Sequence, residues 1–142
     1  KKFNKTAFIN IIEEPEQNLF PAAQEQLLWR LLAINNTITA NKLVITTHSP
    51  YFINYLTLAV EAMRIKNHSN DVNVASDLND VIPLDSAVNI ADVALYELHD
   101  GIIKKLEPCE DLPSDKNALN RYLGNINDSF SRLMELEQKI CL

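Results

Sequence analysis

The chain has 142 residues, of which 46% are hydrophobic and 23% charged, so we expect one soluble domain with a sizeable core. A formal net charge of -6 gives no support for a broad nucleic-acid-binding face, and no apolar run approaches the roughly 18 residues of a membrane span. The two cysteines, Cys109 and Cys141, form no C-x-x-C pair, which favours reduced thiols in a cytoplasmic protein.

Glycine usage restricts the nucleotide-binding motifs that the sequence can contain. The two glycines, Gly101 and Gly124, are not followed by lysine, so neither a G-x-x-x-x-G-K-[ST] loop nor a G-x-G-x-x-G loop can be written. The chain also opens almost directly on an apolar strand. We therefore expect it to be the C-terminal part of a larger domain, in which another segment supplies the phosphate loop.

An apolar run that ends in adjacent carboxylates is the main feature of the sequence. Residues 6–12 predict a strand buried on both faces, as in a parallel sheet, and Pro15 is expected to end it and to hold Glu14 extended. Glu13 and Glu14 then lie at the carboxyl edge of the sheet, where ligands bind in open α/β folds. Two carboxylates there suit Mg²⁺ and a general base. The alternative is a solvated acidic turn that also includes Glu16.

A helix and a second strand place a histidine near these acids. Residues 22–34 predict an amphipathic helix and residues 42–47 a core strand, which together complete a βαβ unit with parallel strands. The expected buried stripe of the helix is Leu27, Leu28, Leu31 and Ile34, with Trp29 at its margin. Because the carboxyl ends of parallel strands share one edge, we expect His48 to lie beside Glu13 and Glu14.

The middle of the chain is less regular. Residues 51–66 predict a second helix, whereas the polar composition of residues 67–90 indicates a mobile loop. Residues 91–107 predict a β-hairpin with strands at 91–98 and 102–106 and a turn at Asp100-Gly101.

Residues 114–142 are expected to form two helices. Ser114 is a candidate cap for the first and Gly124 its stop, while Asp128 can cap the second. The second helix has apolar residues at helical spacing, including Phe130. We expect it to pack on its own sheet, the alternative being a docking or dimer surface.

Two segments together resemble the soluble ABC-type P-loop ATPases grouped with RecF, SMC and the OLD nucleases. Residues 13–21, E-E-P-E-Q-N-L-F-P, are similar to the E-E-P-E-x-x-L-H-P element that follows the Walker B strand of that group, and residues 45–50, I-T-T-H-S-P, resemble its switch-histidine strand. The resemblance covers residues 6–55 well. It implies a partial P-loop NTPase fold of α/β class, with parallel core strands, flanking helices and an antiparallel hairpin near the C-terminal end. Residues 1–66 are then the Walker B and switch-histidine region.

The resemblance also implies a role for each matching residue. Glu13 matches the Walker B acid that holds Mg²⁺, Glu14 the catalytic glutamate that activates water, and His48 the switch histidine that senses the γ-phosphate of ATP. Gln17 and Asn18 match a loop that lies near the nucleotide of the partner subunit. These parts suit in-line phosphoryl transfer with ATP and Mg²⁺ as cofactors.

The sequence departs from the pattern of this group in three ways. Glu13 stands where Asp is commoner, Phe20 stands where His is common, and the phosphate loop, glutamine loop and signature motif are absent. We therefore expect the isolated chain neither to bind ATP tightly nor to hydrolyse it. In the full-length protein we expect a nucleotide-driven homodimer, for which a DNA, nuclease or toxin partner is compatible.

Two other functions remain open at this point. A metal-dependent nuclease would need further acids at the same edge, for which Asp92, Asp100 and Asp111 are the candidates, together with a basic face. A non-catalytic dimerisation module would use the last helix instead.

Overall fold

The computed structural model describes residues 7–69, 71–109, 112–113 and 116–140. Its elements, in chain order, are β1 (Ile9–Glu13), α1 (Pro21–Asn36), β2 (Lys42–Thr46), α2 (Pro50–His68), α3 (Val72–Val81), β3 (Leu95–His99), β4 (Ile102–Leu106) and α4 (Ala118–Ile140). None of these described helices is both long enough and apolar enough to cross a membrane. With four strands and four α-helices among these elements, the chain is mixed α/β, as predicted.

Strands β1 and β2 form a parallel pair joined by α1, so the predicted βαβ unit is confirmed. The register runs from Ile9 opposite Lys42 to Glu13 opposite Thr46. Asn41 fixes the start of this register, because its Oδ1 accepts a hydrogen bond from the Phe8 N–H at 3.2 Å. Both strands therefore end at the same edge of the sheet.

One face of the pair is open, which corrects the expectation of a strand buried on both faces. The side chains alternate along β1, and the outward residues Ile9 and Ile11 are 70% and 68% exposed. On β2, Val44 lies on the same open face and is 47% exposed, whereas Leu43 and Ile45 pack against the core. A parallel pair with helices on one side only leaves half of its apolar side chains in water.

The core lies between the inner face of this pair and the helices α1 and α2. Its buried side chains are Leu28, Trp29, Leu32, Phe52, Ala59, Ala62, Ile82 and Ala87. The buried face of α1 is turned from the predicted stripe, since Trp29 is buried and Ile34 is 53% exposed. The reason is the packing of α1 on α2 as well as on the sheet, with the rings of Trp29 and Tyr55 edge to face at 5.9 Å.

Residues 67–90, expected to be a mobile loop, contain the helix α3, so that expectation is wrong. Asp71 caps this helix by accepting a hydrogen bond from the Asn73 N–H at 2.8 Å. The segment after α3 returns to the core through Ile82 and Ala87. Asn36 at the end of α1 holds it there, because its side-chain amide donates to the carbonyls of Asp85 and Ala87.

The antiparallel hairpin of β3 and β4 is confirmed. Its first strand begins at Leu95, later than predicted, because Ile90–Asp92 form a short 3-10 turn. Asp100 and Gly101 have φ of 50° and 76°, as a type I′ turn requires.

Helix α4 is continuous, so the predicted break at Gly124 is wrong, and Ser114 lies outside the described residues. A single interior glycine costs a helix about 1 kcal/mol, which does not by itself end a helix whose apolar spacing continues on both sides. The expected packing of this helix on its own sheet is also wrong, because the residues from Arg121 to its end are exposed. Arg121 ties its first turn to the hairpin through an ion pair with Glu97 at 2.8 Å.

Candidate functional site

The ends of β1 and β2 bring an acid and a histidine together. Glu14 follows β1 directly and His48 lies just beyond β2. The Nε2 atom of His48 is 3.4 Å from Oε1 of Glu14, and their side chains are 83% and 37% exposed. The topology predicts this common edge, and the geometry agrees with it. The pair is therefore open to a ligand from solvent.

Both carboxylate oxygens of Glu14 have partners. Oε1 faces His48, and Oε2 accepts a hydrogen bond from Nε2 of Gln17 at 2.7 Å. Gln17 is one of the residues predicted to approach a nucleotide. Two partners on opposite oxygens fix the plane of the carboxylate, as a group that orients water requires.

The backbone of Glu14 turns sharply, which corrects the prediction that Pro15 holds it extended. Its φ is 41°, although its N–H still continues the sheet by donating to the Thr46 carbonyl at 2.9 Å. A turn follows at once, with the Gln17 N–H donating to the Glu14 carbonyl at 3.1 Å. A non-glycine residue in this left-handed region costs of the order of 1–3 kcal/mol, and such residues cluster at functional sites.

The same turn carries Glu16 back beneath the end of β2, a role that the sequence interpretation missed. Glu16 is buried, with 9% exposure, and its Oε1 accepts two hydrogen bonds. One comes from Oγ1 of Thr47 at 2.6 Å and the other from the backbone N–H of His48 at 2.8 Å. Its Oε2 is buried and has no partner among the described residues. Glu16 thereby holds the segment that presents His48.

A chain of hydrogen bonds extends this clamp to the start of α1. The Ser49 N–H donates to Oγ1 of Thr47 at 2.9 Å, and Oγ of Ser49 donates to Oε1 of Gln24 at 2.6 Å. The amide of Gln24 in turn donates to the Leu19 carbonyl at 2.9 Å. Gln24 is buried, although its polarity placed it outside the predicted stripe. The network locks both strand ends into one unit.

Two other predicted site residues lie apart from the pair. Glu13 is exposed on the open face of the sheet, on the side of Ile9 and Ile11. Asn18 is exposed in the next turn with φ of 61°, which asparagine tolerates. Within the described part of the chain, neither side chain makes a hydrogen bond or ion pair.

The donor set fits Mg²⁺ held jointly with a phosphate ligand. No group of three or more His, Cys, Asp or Glu residues suited to a metal occurs among the described residues. Mg²⁺ usually takes only one or two carboxylates and fills its remaining positions with water and phosphate oxygens, so the exposed carboxylate of Glu13 suffices chemically. The nuclease alternative needs more acids; Asp92 and Asp100 form no such group with others described, and Asp111 lies outside the described residues.

Comparison with known proteins gives one family model that matches part of the chain. Residues 1–53 match the family model of the AAA ATPase domain. The matched region contains both strand ends and the turn that carries Glu14, Glu16 and Gln17. It supports an AAA-type ATPase domain, and with it nucleotide binding and ATPase-type activity at that coarse level. No curated protein and no solved structure matches the chain.

Proposed function

We propose that this chain carries the metal-and-water half of the ATP-hydrolysing site of an ABC-type P-loop ATPase. In this assignment β1 is the Walker B strand and β2 the switch-histidine strand. The observation that carries the proposal is the Glu14–His48 pair, 3.4 Å apart at the shared carboxyl edge of two parallel strands. The family match over residues 1–53 supports ATPase activity in general.

Glu14 is the proposed general base. Its carboxylate is oriented by Gln17 and His48, yet its side chain is 37% exposed, so a water molecule can reach it. It accepts the proton of the water that attacks the γ-phosphate, while the phosphoryl group transfers in line. Gln17 thus acts on the geometry of the base as well as lying near the nucleotide.

His48 is the proposed sensor of the γ-phosphate. When its Nε2 carries a proton, that N–H can turn either towards Oε1 of Glu14, which is 3.4 Å away, or towards a phosphate oxygen. The two acceptors compete for one donor. Nucleotide binding would then draw His48 from Glu14 and release one carboxylate oxygen for water. Glu16 keeps the backbone of His48 in place during this exchange.

Glu13 is the proposed ligand of Mg²⁺, either directly or through water. The ion, when bound, neutralises charge on the β- and γ-phosphates. Asn18 lies in the turn beside this edge and is the proposed contact to a nucleotide held by a second subunit. The full-length protein is accordingly proposed to be a cytoplasmic homodimer, and a DNA, nuclease or toxin partner remains a proposal of the same kind.

The rest of the ATPase domain is proposed to cover the open parts of the sheet. A groove of about 780 Å³ lies along β2, and its lining includes Leu43, Ile45, Val88 and Leu95. The opposite face of the sheet exposes Ile11 and its neighbours. A preceding segment with the phosphate loop would fill such space, and without it the chain lacks most phosphate contacts.

Replacement of Glu14 by glutamine in the full-length protein tests the proposal. Glu14→Gln keeps the shape and the hydrogen bond from Gln17 but removes the base, so the ATPase rate should fall roughly 10²–10⁴-fold while nucleotide still binds. Glu107→Gln, an exposed acid far along the chain, is the matched control and should keep the wild-type rate. An unchanged rate in Glu14→Gln would remove Glu14 from this role.

Two further experiments test the proposal, one on His48 and one on the isolated chain. His48→Ala should slow hydrolysis in the full-length protein and leave its circular dichroism unchanged, because the side chain is 83% exposed. Calorimetry should detect no tight binding of Mg-ATP to the 142-residue chain alone. Micromolar binding by that chain would contradict the assignment of a half-site.

A further inference from the structure

Helix α4 presents an apolar stripe that the rest of the described chain does not cover. The helix has 23 residues, which corresponds to about 35 Å. Ile126, Phe130 and Leu133 are 65%, 64% and 64% exposed, although they are large apolar side chains. Its first turn is tied to the hairpin through Arg121 and Glu97. Most of the stability of a helix in a protein comes from packing of its apolar face, so the stripe needs a partner.

The spacing of the stripe identifies the kind of partner. Its positions follow intervals of four and three residues without interruption: Leu119, Leu123, Ile126, Phe130, Leu133, Glu137 and Ile140. An average interval of 3.5 residues is the a/d repeat of a coiled coil, in which the seam continues to face a second helix. A helix that packs on a sheet has no need of this strict repeat. The stripe therefore fits another helix.

We propose that α4 pairs with α4 of a second copy of this chain in an antiparallel two-helix coiled coil. In the repeat, residues 123, 130 and 137 are a positions and residues 119, 126, 133 and 140 are d positions. Antiparallel pairing about residue 128 places each a position opposite a d position of the second copy. Ile126 then packs on Phe130 of the second copy, and Leu123 packs on its Leu133. The symmetry repeats both contacts, so four apolar layers form the centre of the interface. This inference is independent of the ATPase assignment.

The single charge in the stripe determines the direction of pairing. In a parallel pair, two Glu137 side chains would face each other across an a layer and repel. In the antiparallel pair, Glu137 lies beside Leu119 of the second copy, at the positive N-terminal end of its helix, where a carboxylate is favourable. The Glu137 carboxylate is thus complementary to the N-terminal end of a second α4, and it would repel the C-terminal end, where the other Glu137 lies.

The residues that flank the seam are compatible with this arrangement. At the centre, Asn127 meets Asn127 of the second copy and Ser129 meets Ser129, which are polar groups that can both donate and accept hydrogen bonds. Towards the ends, Tyr122 meets Leu136 and adds apolar area. No charged residue occupies these flanking positions, so the pairing brings no like charges together there.

Sedimentation of the 142-residue chain without nucleotide tests the pairing. We expect a monomer–dimer equilibrium, and Phe130→Glu should raise the dissociation constant roughly 100-fold or more, because it places a charge in two central layers. Ser131→Glu adds the same charge on the adjacent outward position and should change the constant by no more than about threefold. Circular dichroism checks that each variant folds. A monomeric wild type, or equal effects of both variants, would overturn the proposal.

Disulfide crosslinking tests the direction in a chain whose Cys109 and Cys141 are replaced by serine. Asn127→Cys should form a crosslinked dimer, because the antiparallel pair sets this position against itself. Leu133→Cys should form little, because it faces Leu123 of the second copy. Efficient crosslinking of Leu133→Cys with none of Asn127→Cys would indicate parallel helices and overturn the antiparallel arrangement. Crosslinking of neither variant would overturn pairing through α4.

Discussion

At the scale of residues, the site depends on the conformation of Glu14. Its left-handed backbone, with φ of 41°, turns the chain so that Glu16 returns under β2 while the Glu14 carboxylate stays at the edge. The strain of this residue is compensated by the Thr46 carbonyl, which accepts its N–H. The left-handed backbone of Glu14 costs about 1–3 kcal/mol. It places Glu14 at the edge as the proposed base and Glu16 beneath β2 as the residue that holds the His48 backbone.

Substitutions of Glu16 test its contribution to the stability of the fold. Glu16→Ala leaves the hydroxyl of Thr47 and the backbone N–H of His48 without their acceptor, so we expect the isolated chain to lose about 1–3 kcal/mol of unfolding free energy. Glu16→Gln retains one acceptor oxygen and should lose less. Urea unfolding followed by circular dichroism measures both.

We also expect the Glu16 substitutions to change the ATPase rate of the full-length protein. Because Glu16 positions the backbone of His48, Glu16→Ala should lower the ATPase rate even at temperatures where the variant is folded, and Glu16→Gln should recover part of it. In the unfolding experiment, a loss of less than about 0.5 kcal/mol of unfolding free energy in Glu16→Ala would show that the two hydrogen bonds to Glu16 do not stabilise the fold.

The sequence predicts the Glu14–His48 pair but not the function of Glu16. The pair follows from topology alone, because two parallel strands joined by one helix must end at one edge. The position of Glu16 depends instead on the sharp turn at Glu14, and Pro15 suggested the opposite conformation. Local rules for the residue before proline fail here because tertiary hydrogen bonds to Thr47 and His48 outweigh them.

At the scale of elements, α2 carries a salt bridge that predicts a pH dependence. Arg64 donates to both carboxylate oxygens of Glu61 at 2.7 Å, and this hydrogen bonding lowers the pKa of Glu61 below its ordinary value of 4.5. A lowered pKa in the folded state adds stability above that ordinary value, and the stability is lost as the pH falls through the folded pKa. The Glu61 side chain is 30% exposed, so we expect at most about 0.5 kcal/mol.

Comparison of Glu61→Gln with the wild type at two pH values measures this term. The variant should be slightly less stable at neutral pH, and the difference should shrink as the pH falls below 4.5 and through the lowered pKa of Glu61 in the folded state. Thermal unfolding at both pH values gives the two differences. A difference that is the same at acid and neutral pH would mean that the carboxylate charge is not its source.

Helices α3 and α4 show why some elements are hard to predict from sequence. Residues 72–81 mix five apolar with five polar residues, and the Asp71 cap together with the packing of Leu78 and Ile82 on the core supports a helix. In α4, glycine at 124 indicates a stop, but continuous apolar spacing on both sides outweighs it. The hairpin was predictable, because Asp100-Gly101 is a strong and purely local signal.

At the scale of the whole molecule, two of the apolar surfaces that the described chain leaves exposed have a proposed occupant. One is the α4 stripe, which the proposed second copy covers. The other is the open face of the β1–β2 pair, which includes Ile9, Ile11 and Val44. Parallel sheets in α/β proteins are covered on both faces, so the full-length domain is expected to bury this face. The two surfaces therefore differ in their proposed occupant and can be tested separately.

Ile11→Thr tests the second occupant by a comparison between the isolated chain and the full-length protein. In the isolated chain Ile11 is 68% exposed, so the substitution should change the unfolding free energy by less than about 0.5 kcal/mol. In the full-length protein the same side chain would be buried, and loss of apolar area together with a buried hydroxyl should cost about 1–3 kcal/mol. Ile12→Thr, on the inner face one residue along, is the matched control and should be costly in both. Equal, small effects of Ile11→Thr in both proteins would mean that this face stays in water and that the strand is not the interior strand the ATPase assignment requires.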